Sequence, residues 1–145
     1  MLFYKNGLFH AGNATFPFPD GFYLNTEPDC QLPVGIEIIS ADETYHIILE
    51  FEKDCEDGFT ELAYWLEPGT GFHAIEPINA VSINGFPVHQ CTYGGERTST
   101  YEARFDLGDN KQFALVVTCS ASQDIVSLKN SEEVQEILHS IKKAT

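Results

Sequence analysis

The run KQFALVVTCS at residues 111–120 limits the fold of this chain more than any other segment. Its apolar side chains fall at both odd and even positions, so a strand built from it is apolar on both faces. Such a strand is expected near the centre of a sheet, with cover on each side. The run TSTYEARFDL precedes it, separated by Gly108-Asp109-Asn110, and a turn this short joins antiparallel strands. The sequence therefore predicts an antiparallel sheet that is covered on both faces.

Other segments have the composition and period of strands. Tyr45, Ile47 and Leu49 alternate with His46, Ile48 and Glu50, which is the period-two pattern of a strand with one clearly apolar face. The dipeptide Asn84-Gly85 predicts a tight hairpin turn. The predicted strands cover residues 34–40, 44–52, 72–83, 86–94, 98–107 and 111–120.

The segment ATFPFPDGFYLN near the N-terminus is predicted to lie away from the centre of the sheet. Pro17 and Pro19 lack backbone N–H donors, which excludes a central strand. The tripeptide Pro19-Asp20-Gly21 is typical of a turn. We therefore expect an edge hairpin or an extended flap packed on the core.

A first helix is predicted after the acidic segment EKDCEDG. Phe59, Leu62, Ala63 and Leu66 recur at helical spacing, and Pro68-Gly69 stops the pattern. Asp57 is the predicted N-cap.

A second helix is predicted at the C-terminal end, over about 14 residues. Its apolar stripe is Val134, Ile137, Leu138 and Ile141, its cap is Asn130 or Ser131, and Lys142 and Lys143 are placed in its last turn. Two helices covering an antiparallel sheet give an α+β fold with an α/β/α sandwich architecture, predicted to be a single domain over residues 1–145.

The net charge of −14 indicates the chemistry of a partner. Basic residues are few, with two before residue 97 and six after it, against 22 acidic residues, so nucleic acid and anionic membranes are not expected partners. The acidic residues are concentrated before residue 97, which suits a basic protein surface or a solvated acidic face. No segment is apolar for long enough to predict membrane insertion. The N-terminus lacks the apolar core of a signal peptide, so we expect a cytoplasmic protein, or an exported one if a leader has been removed.

Catalytic and metal motifs are missing from the sequence. The acidic segment EKDCEDG fails the calcium-loop pattern, because position 6 is Asp57 and position 12 is Ala63. The five histidines have no HxH or HxxxH spacing, and the four cysteines have no CxxC spacing. We expect no cofactor, no metal and no enzymatic activity, although a Cys–His pair such as Cys91 with His73 remained a hypothesis for a hydrolase. The cysteines are expected to be thiols, with Cys91 and Cys119 buried.

Aromatic side chains give the strongest indication of binding. Six of them lie in the N-terminal segment or off the main stripe of the first helix: Phe16, Phe18, Phe22, Tyr23, Tyr64 and Trp65. They could line a groove for a peptide or an apolar ligand. The alternative, which we favour, is that they close the N-terminal segment over the core.

The order of these parts resembles the PsbP-like superfamily. The resemblance depends on FPFPDGFYL, VSINGFPVHQCTY and EEVQEILHSIK, with the best matches at Gly21-Phe22, Asn84-Gly85, Ile137-Leu138 and Ser140-Ile141. That superfamily includes a Ran-binding nuclear-import factor, a photosystem subunit, DcrB-like envelope proteins and chaperones of type VI secretion effectors. The resemblance implies an antiparallel sheet between helices and a role in binding or as a scaffold or chaperone. The acidic Ran-binding patch of the import factor has no counterpart that can be matched residue by residue.

Besides the hydrolase, three kinds of function follow as hypotheses. The first is a non-enzymatic protein-binding module with an acidic surface. The second is a binder of a small apolar ligand, suggested by the aromatic residues. The third is an immunity-type inhibitor whose acidic face binds a basic protein.

Overall fold

The computed structural model of the protein describes residues 1–25 and 35–144. Its elements, in chain order, are β1 (Leu2–Lys5), β2 (Leu8–Ala11), β3 (Ala14–Pro17), β4 (Phe22–Leu24), β5 (Gly35–Ser40), β6 (Tyr45–Glu52), α1 (Gly58–Trp65), β7 (His73–Ile83), β8 (Phe86–Gly94), β9 (Thr98–Gly108), β10 (Lys111–Ser120), α2 (Ile125–Lys129), α3 (Glu132–Ser140) and β11 (Lys142–Lys143). They form a seven-stranded sheet in the order β4-β5-β6-β10-β9-β8-β7 and a four-stranded sheet in the order β1-β2-β3-β11.

Strand β10 occupies the centre of the seven-stranded sheet, as its composition predicts. It pairs antiparallel with β6 on one side and with β9 on the other, so that Leu115 lies between Leu49 and Ala103. These three side chains are fully buried. All strand pairs in the described residues are antiparallel, which confirms the predicted sheet.

Helices cover both faces of this sheet, which confirms the predicted α+β class and α/β/α layering. One face, called here the core face, carries Leu115, Ala103 and Phe105 and packs against α2, α3 and the four-stranded sheet. The other face, called here the α1 face, packs through Cys91 and Tyr93 against Leu62 of α1.

Helix α1 begins where predicted. The Asp57 side chain accepts a hydrogen bond from the Thr60 N–H at 3.0 Å, which confirms the N-cap. Gly58 lets the helix approach β8 closely, because a Cβ atom there would lie 2.9 Å from Nδ1 of His89. The predicted apolar stripe is partly wrong, since Phe59 is 53% exposed. The helix is eight residues long and contacts the sheet through Gly58 and Leu62, which leaves Phe59 at the margin of the interface.

The N-terminal segment differs from the predicted edge hairpin. Strands β3 and β4 belong to different sheets: β3 lies between β2 and β11, and β4 is the last strand of the seven-stranded sheet. Pro17 is tolerated because it is the final, exposed residue of β3. The hairpin of β1 and β2 was not predicted, although Asn6-Gly7 is the same turn dipeptide as Asn84-Gly85.

The C-terminal helix is shorter than predicted. Helix α3 starts from Ser131, whose hydroxyl accepts a hydrogen bond from the Val134 N–H, and it ends at Ser140. Lys142 and Lys143 are not in its last turn but pair with β3, which corrects the prediction. The amide nitrogen of Asn84 donates hydrogen bonds of 2.8 Å to the carbonyl oxygens of His139 and Ile141. These bonds satisfy carbonyl groups at the helix end, so the chain can leave the helix there.

Candidate functional site

The six aromatic residues predicted to bind a ligand lie in separate parts of the molecule. Phe16 is fully buried against Phe9 and Phe113, with ring centroids 5.0 and 5.3 Å away. Phe18 and Phe22 are half-buried and pack against the same core. These three side chains therefore hold the N-terminal segment on the core face.

The remaining three aromatic residues are exposed. Tyr23 lies on the edge strand β4, where its hydroxyl donates a hydrogen bond of 2.5 Å to Glu43. Tyr64 and Trp65 lie on α1, which packs toward the opposite edge of the sheet, next to β8. The structure thus brings Tyr64 and Trp65 together and separates them from Tyr23, so the six residues do not line one groove.

A buried charge cluster lies on the α1 face below the acidic segment. Arg104 and Glu102 on β9 are only 4% and 3% exposed, and Nη1 of Arg104 is 2.9 Å from Oε2 of Glu102. Nη2 of Arg104 contacts the carboxylate of Glu52, and its Nε donates a 2.6 Å hydrogen bond to Gln112. Burial alone lowers the pKa of Arg104, but Glu102 and Glu52 outweigh it, so the pKa is raised and the guanidinium stays charged.

This cluster holds the loop that leads into α1. The Gln112 amide donates a 2.6 Å hydrogen bond to the backbone oxygen of Glu56. The Cys55 N–H donates to the backbone oxygen of Asn110 at 3.1 Å, and its Sγ lies 3.2 Å from the same oxygen. The loop that carries the acidic residues is therefore tied to β10 and to the turn that precedes it.

The cluster also connects to the exposed surface of α1. The Tyr93 hydroxyl donates a 2.9 Å hydrogen bond to Oε1 of Glu102, and the Tyr93 ring stacks on Trp65 at 6.1 Å. Burial, and then the charge of Glu102, raise the pKa of Tyr93, so the hydroxyl stays protonated as a donor. Trp65 therefore packs on a Tyr93 ring that is itself held by a hydrogen bond to the buried charge cluster.

Above this support, α1 and the loop before it present an acidic and aromatic surface. We call it the α1 surface, and it consists of Asp54, Glu56, Asp57, Phe59, Glu61, Tyr64, Trp65 and Glu67. Tyr64 is 48% exposed and lies among four of these carboxylates. The charge of Glu56 has the largest effect in raising the pKa of Tyr64, followed by burial and by Glu61, Glu67 and Asp57. Within residues 50–67 the sequence has a single cation, Lys53, so the surface is strongly negative.

Glu50 is the one carboxyl group of this region with a strongly raised pKa. Burial is the main cause, and a hydrogen bond with Glu52 and the charges of Glu52 and Glu102 add to it, raising the pKa of Glu50 to about 7. Arg104 opposes this shift. Glu50, Glu52 and Glu102 therefore lie near a single guanidinium, that of Arg104. Its charge does not fully offset the effect of burial and of the other two carboxylates on Glu50.

The buried charge cluster was not predicted from the sequence. Glu102 and Arg104 alternate with apolar residues in β9, and such alternation normally indicates a solvated face. One feature of the sequence could have indicated it: Glu50 and Glu52 alternate with apolar residues in β6, just as Glu102 and Arg104 do in β9. The register of both strands on β10 places all four side chains on the α1 face, but the register is not readable from the sequence.

The thiol groups of the described cysteines do not have the environment of nucleophiles. Cys91 and His73 were considered as a pair, but they lie on opposite faces of the sheet, because His73 is opposite Gly94 and Cys91 is three residues before it. Burial, Glu102 and Glu76 raise the pKa of Cys91 to about 11, which keeps the thiol protonated. Cys119 is buried as predicted, and Cys30 lies outside the described residues.

Residues 1–25 and 35–144 contain neither a cluster of metal-binding side chains nor a membrane-spanning helix. Within these ranges, no group of three His, Cys, Asp or Glu residues is arranged to hold a metal ion. No helix in the same ranges is long and apolar enough to cross a membrane.

A cavity of about 810 Å³ lies at the end of the seven-stranded sheet. Leu2, Ile36 and Phe51 form its apolar lining, while Glu52 and Glu61 are among the acidic residues on its wall. None of the six predicted aromatic residues lines this cavity. Its lining is more apolar than polar and includes carboxylates at the rim of the acidic loop.

Comparison with known proteins relates this architecture to solved structures. No protein-family model matches the chain, and no curated protein sequence matches it. A cyanobacterial PsbP (CyanoP) from Synechocystis sp. PCC 6803 superposes with a TM-score of 0.61 at 11% identity, over 99% of this chain and 91% of that one. The Ran-binding protein Mog1p of Saccharomyces cerevisiae superposes with a TM-score of 0.57 at 10% identity, over 90% and 89% of the two chains. A mutant of Mog1 gives the same TM-score and identity over 90% of both chains. This chain therefore has the fold shared by PsbP and Mog1.

Proposed function

We propose that this chain is a non-enzymatic protein-binding module that uses the α1 surface to bind a basic partner. The observation that carries the proposal is the position of Tyr64, exposed among the carboxylates of Glu56, Glu61 and Glu67. An exposed aromatic ring supplies contact area, and the carboxylates around it attract Lys and Arg side chains. The Ran-binding activity named for the yeast protein with this fold supports a binding role but does not identify the partner.

The α1 surface is supported by contacts within the chain itself. Trp65 stacks on Tyr93, and the loop is held through Gln112 and Asn110. A surface that is already ordered loses less conformational entropy on binding. The buried charge cluster therefore supports binding indirectly, by fixing the elements that carry the exposed side chains.

Site-specific photo-crosslinking in cells tests this proposal. A benzophenone amino acid at Tyr64 is expected to trap a protein with a basic surface, because Tyr64 is exposed among the carboxylates of the α1 surface. The matched control is the same amino acid at Tyr4, which is 49% exposed but lies on β1 in the other sheet. Equal crosslinking from both positions would contradict the proposal.

The purified partner then allows a quantitative test. Tyr64→Ala or Glu67→Lys should weaken binding about 10-fold or more, the effect expected for a central contact residue. Glu136→Lys makes the same charge change on the exposed side of α3, on the opposite face of the sheet, and should change the Kd less than about 2-fold. Isothermal titration calorimetry would measure all three, and an unchanged Kd for both α1 variants would exclude this surface.

A further inference from the structure

Strand β7 is the last strand on one side of the seven-stranded sheet, at the opposite edge from β4. In the described part of the chain no strand pairs with its outer side. It is eleven residues long, and most of its side chains are exposed. An edge of this length is a template for another strand unless the sequence protects it.

The first half of β7 is protected and the second half is not. Pro77 lacks a donor, and the register with β8 shifts between Ala74 and Asn79. From Asn79 to Ile83 the register is regular, and the sequence NAVSI contains no charge. Within β7, only Asn79–Ile83 can therefore accept a partner strand.

The hairpin turn determines which backbone groups of this segment point outward. Asn84 and Gly85 have φ values of 50° and 84°, as in a two-residue turn of type I′, so the flanking pair Ile83 and Phe86 is hydrogen-bonded. Hydrogen-bonded and non-hydrogen-bonded pairs alternate from there. The N–H and C=O groups of Ala80 and Ser82 therefore point away from β8.

These outward groups are complementary to themselves. If the segment meets a second copy in antiparallel orientation about a two-fold axis at Val81, Ala80 of one copy lies opposite Ser82 of the other. The N–H of each then donates to the C=O of the other, and the symmetry repeats this pair on the other side of the axis. Val81, 38% exposed, contacts Val81 of the second copy.

Charge does not oppose a second copy at this edge, whose outward groups are complementary to themselves. The protein carries a net charge of −14, so most of its surface repels another copy. Between Glu76 and Glu96 the sequence has no Asp, Glu, Lys or Arg, and this stretch forms the β7–β8 hairpin. Two copies can therefore meet at this edge without placing like charges opposite each other.

We propose that the chain self-associates through Asn79–Ile83 of β7, forming a weak two-fold dimer with one continuous sheet. The interface is short, which places it among weak and transient contacts. Repulsion between the acidic bodies opposes the dimer, and salt screens that repulsion because the Debye length falls from about 30 Å at 0.01 M to about 8 Å at 0.15 M.

Sedimentation velocity tests this proposal between about 10 µM and 1 mM protein, at about 10 and 300 mM salt. The dimer fraction should rise with protein concentration and should be larger at the higher salt concentration. Ala80→Pro should reduce dimerisation at least about 10-fold, because it removes an outward N–H and leaves the β7–β8 hydrogen bonds in place. Circular dichroism and thermal melting would check that this variant is folded.

A second variant keeps the test independent of any effect of proline on folding. Val81→Lys places two like charges at the axis and should abolish the dimer. Leu8→Lys makes the same charge change at a residue of similar exposure on β2 and should leave the dimer unchanged. A protein that is monomeric at every concentration and salt, or a dimer that survives both β7 variants, would overturn the proposal.

Discussion

Arg104 is the residue on which the α1 face depends most. It contacts Glu102 and Glu52 through its two Nη atoms and Gln112 through Nε, and nearly all of it is buried. Among the described residues, every buried side-chain nitrogen and oxygen has a hydrogen-bond partner. Removing Arg104 would leave buried carboxylates without a counter-charge, which is much more costly than losing one surface ion pair.

Arg104→Leu is therefore expected to destabilise the fold by about 3–5 kcal/mol. Lys111→Leu, which removes an exposed cation at the start of β10, should change the free energy of unfolding by no more than about 0.5 kcal/mol. Chemical denaturation monitored by tryptophan fluorescence would measure both, since Trp65 lies next to Tyr93 above the cluster. Similar losses for the two variants would show that the buried cluster is not a major contributor.

Individual residues show how far the sequence predicts the site. Asp57 was predicted correctly as a cap, because capping depends on residues close in sequence. The burial of Glu102 was not predicted, because it depends on the register of β9 and β10 and on the packing of α1. The sequence identified Tyr64 only as an aromatic residue off the apolar stripe of the helix. Its acidic surroundings were not predicted, because they come from both the loop and the helix.

Among the elements, α3 depends on a turn far away in sequence. Asn84 in the β7–β8 turn donates to the carbonyl oxygens of His139 and Ile141. Helices α1 and α3 were predicted from apolar periodicity, whereas α2 and the end of α3 were not. Helical periodicity and the basic residues at 142 and 143 favoured a longer helix, whereas the pairing of β11 with β3 and the Asn84 amide fix the end at Ser140.

Asn84→Gly isolates the contribution of this amide. Glycine adopts the positive φ of residue 84 without strain, so the expected loss of about 1–3 kcal/mol reflects the two hydrogen bonds to the end of α3. Asn6→Gly is the matched control, since Asn6 has a φ of 54° in the same kind of turn between β1 and β2. Denaturant unfolding of the two variants gives the comparison, and equal losses would assign the effect to the turn itself.

The molecule as a whole should be less stable at neutral pH than at mildly acidic pH. The pKa of Glu50 is raised from about 4.5 to about 7, so the folded state binds more protons than the unfolded state between these values. The charged groups facing Glu50 are Glu52 on its own strand, and Glu102 and Arg104 on β9. The free energy of unfolding should therefore fall as the pH rises from about 4.5 through about 7.

Glu50→Gln tests this dependence. The variant resembles the protonated carboxyl group, so it should be more stable than the unmodified protein at pH 8 and about equally stable at pH 5. Glu136→Gln on the exposed side of α3 should retain the original pH profile. Thermal melts across this pH range would measure the effect, and an unchanged slope for Glu50→Gln would contradict it.

The pairing of β11 with β3 also has a consequence for how the protein is made. Lys142 lies opposite Thr15 and Lys143 opposite Ala14, so β3 leaves the ribosome long before its partner strand β11. Contacts between such distant residues slow folding, because a large loop must close before they contribute. The four-stranded sheet can therefore be completed only after β11 has been synthesised, and until then the outer edge of β3 lacks this partner.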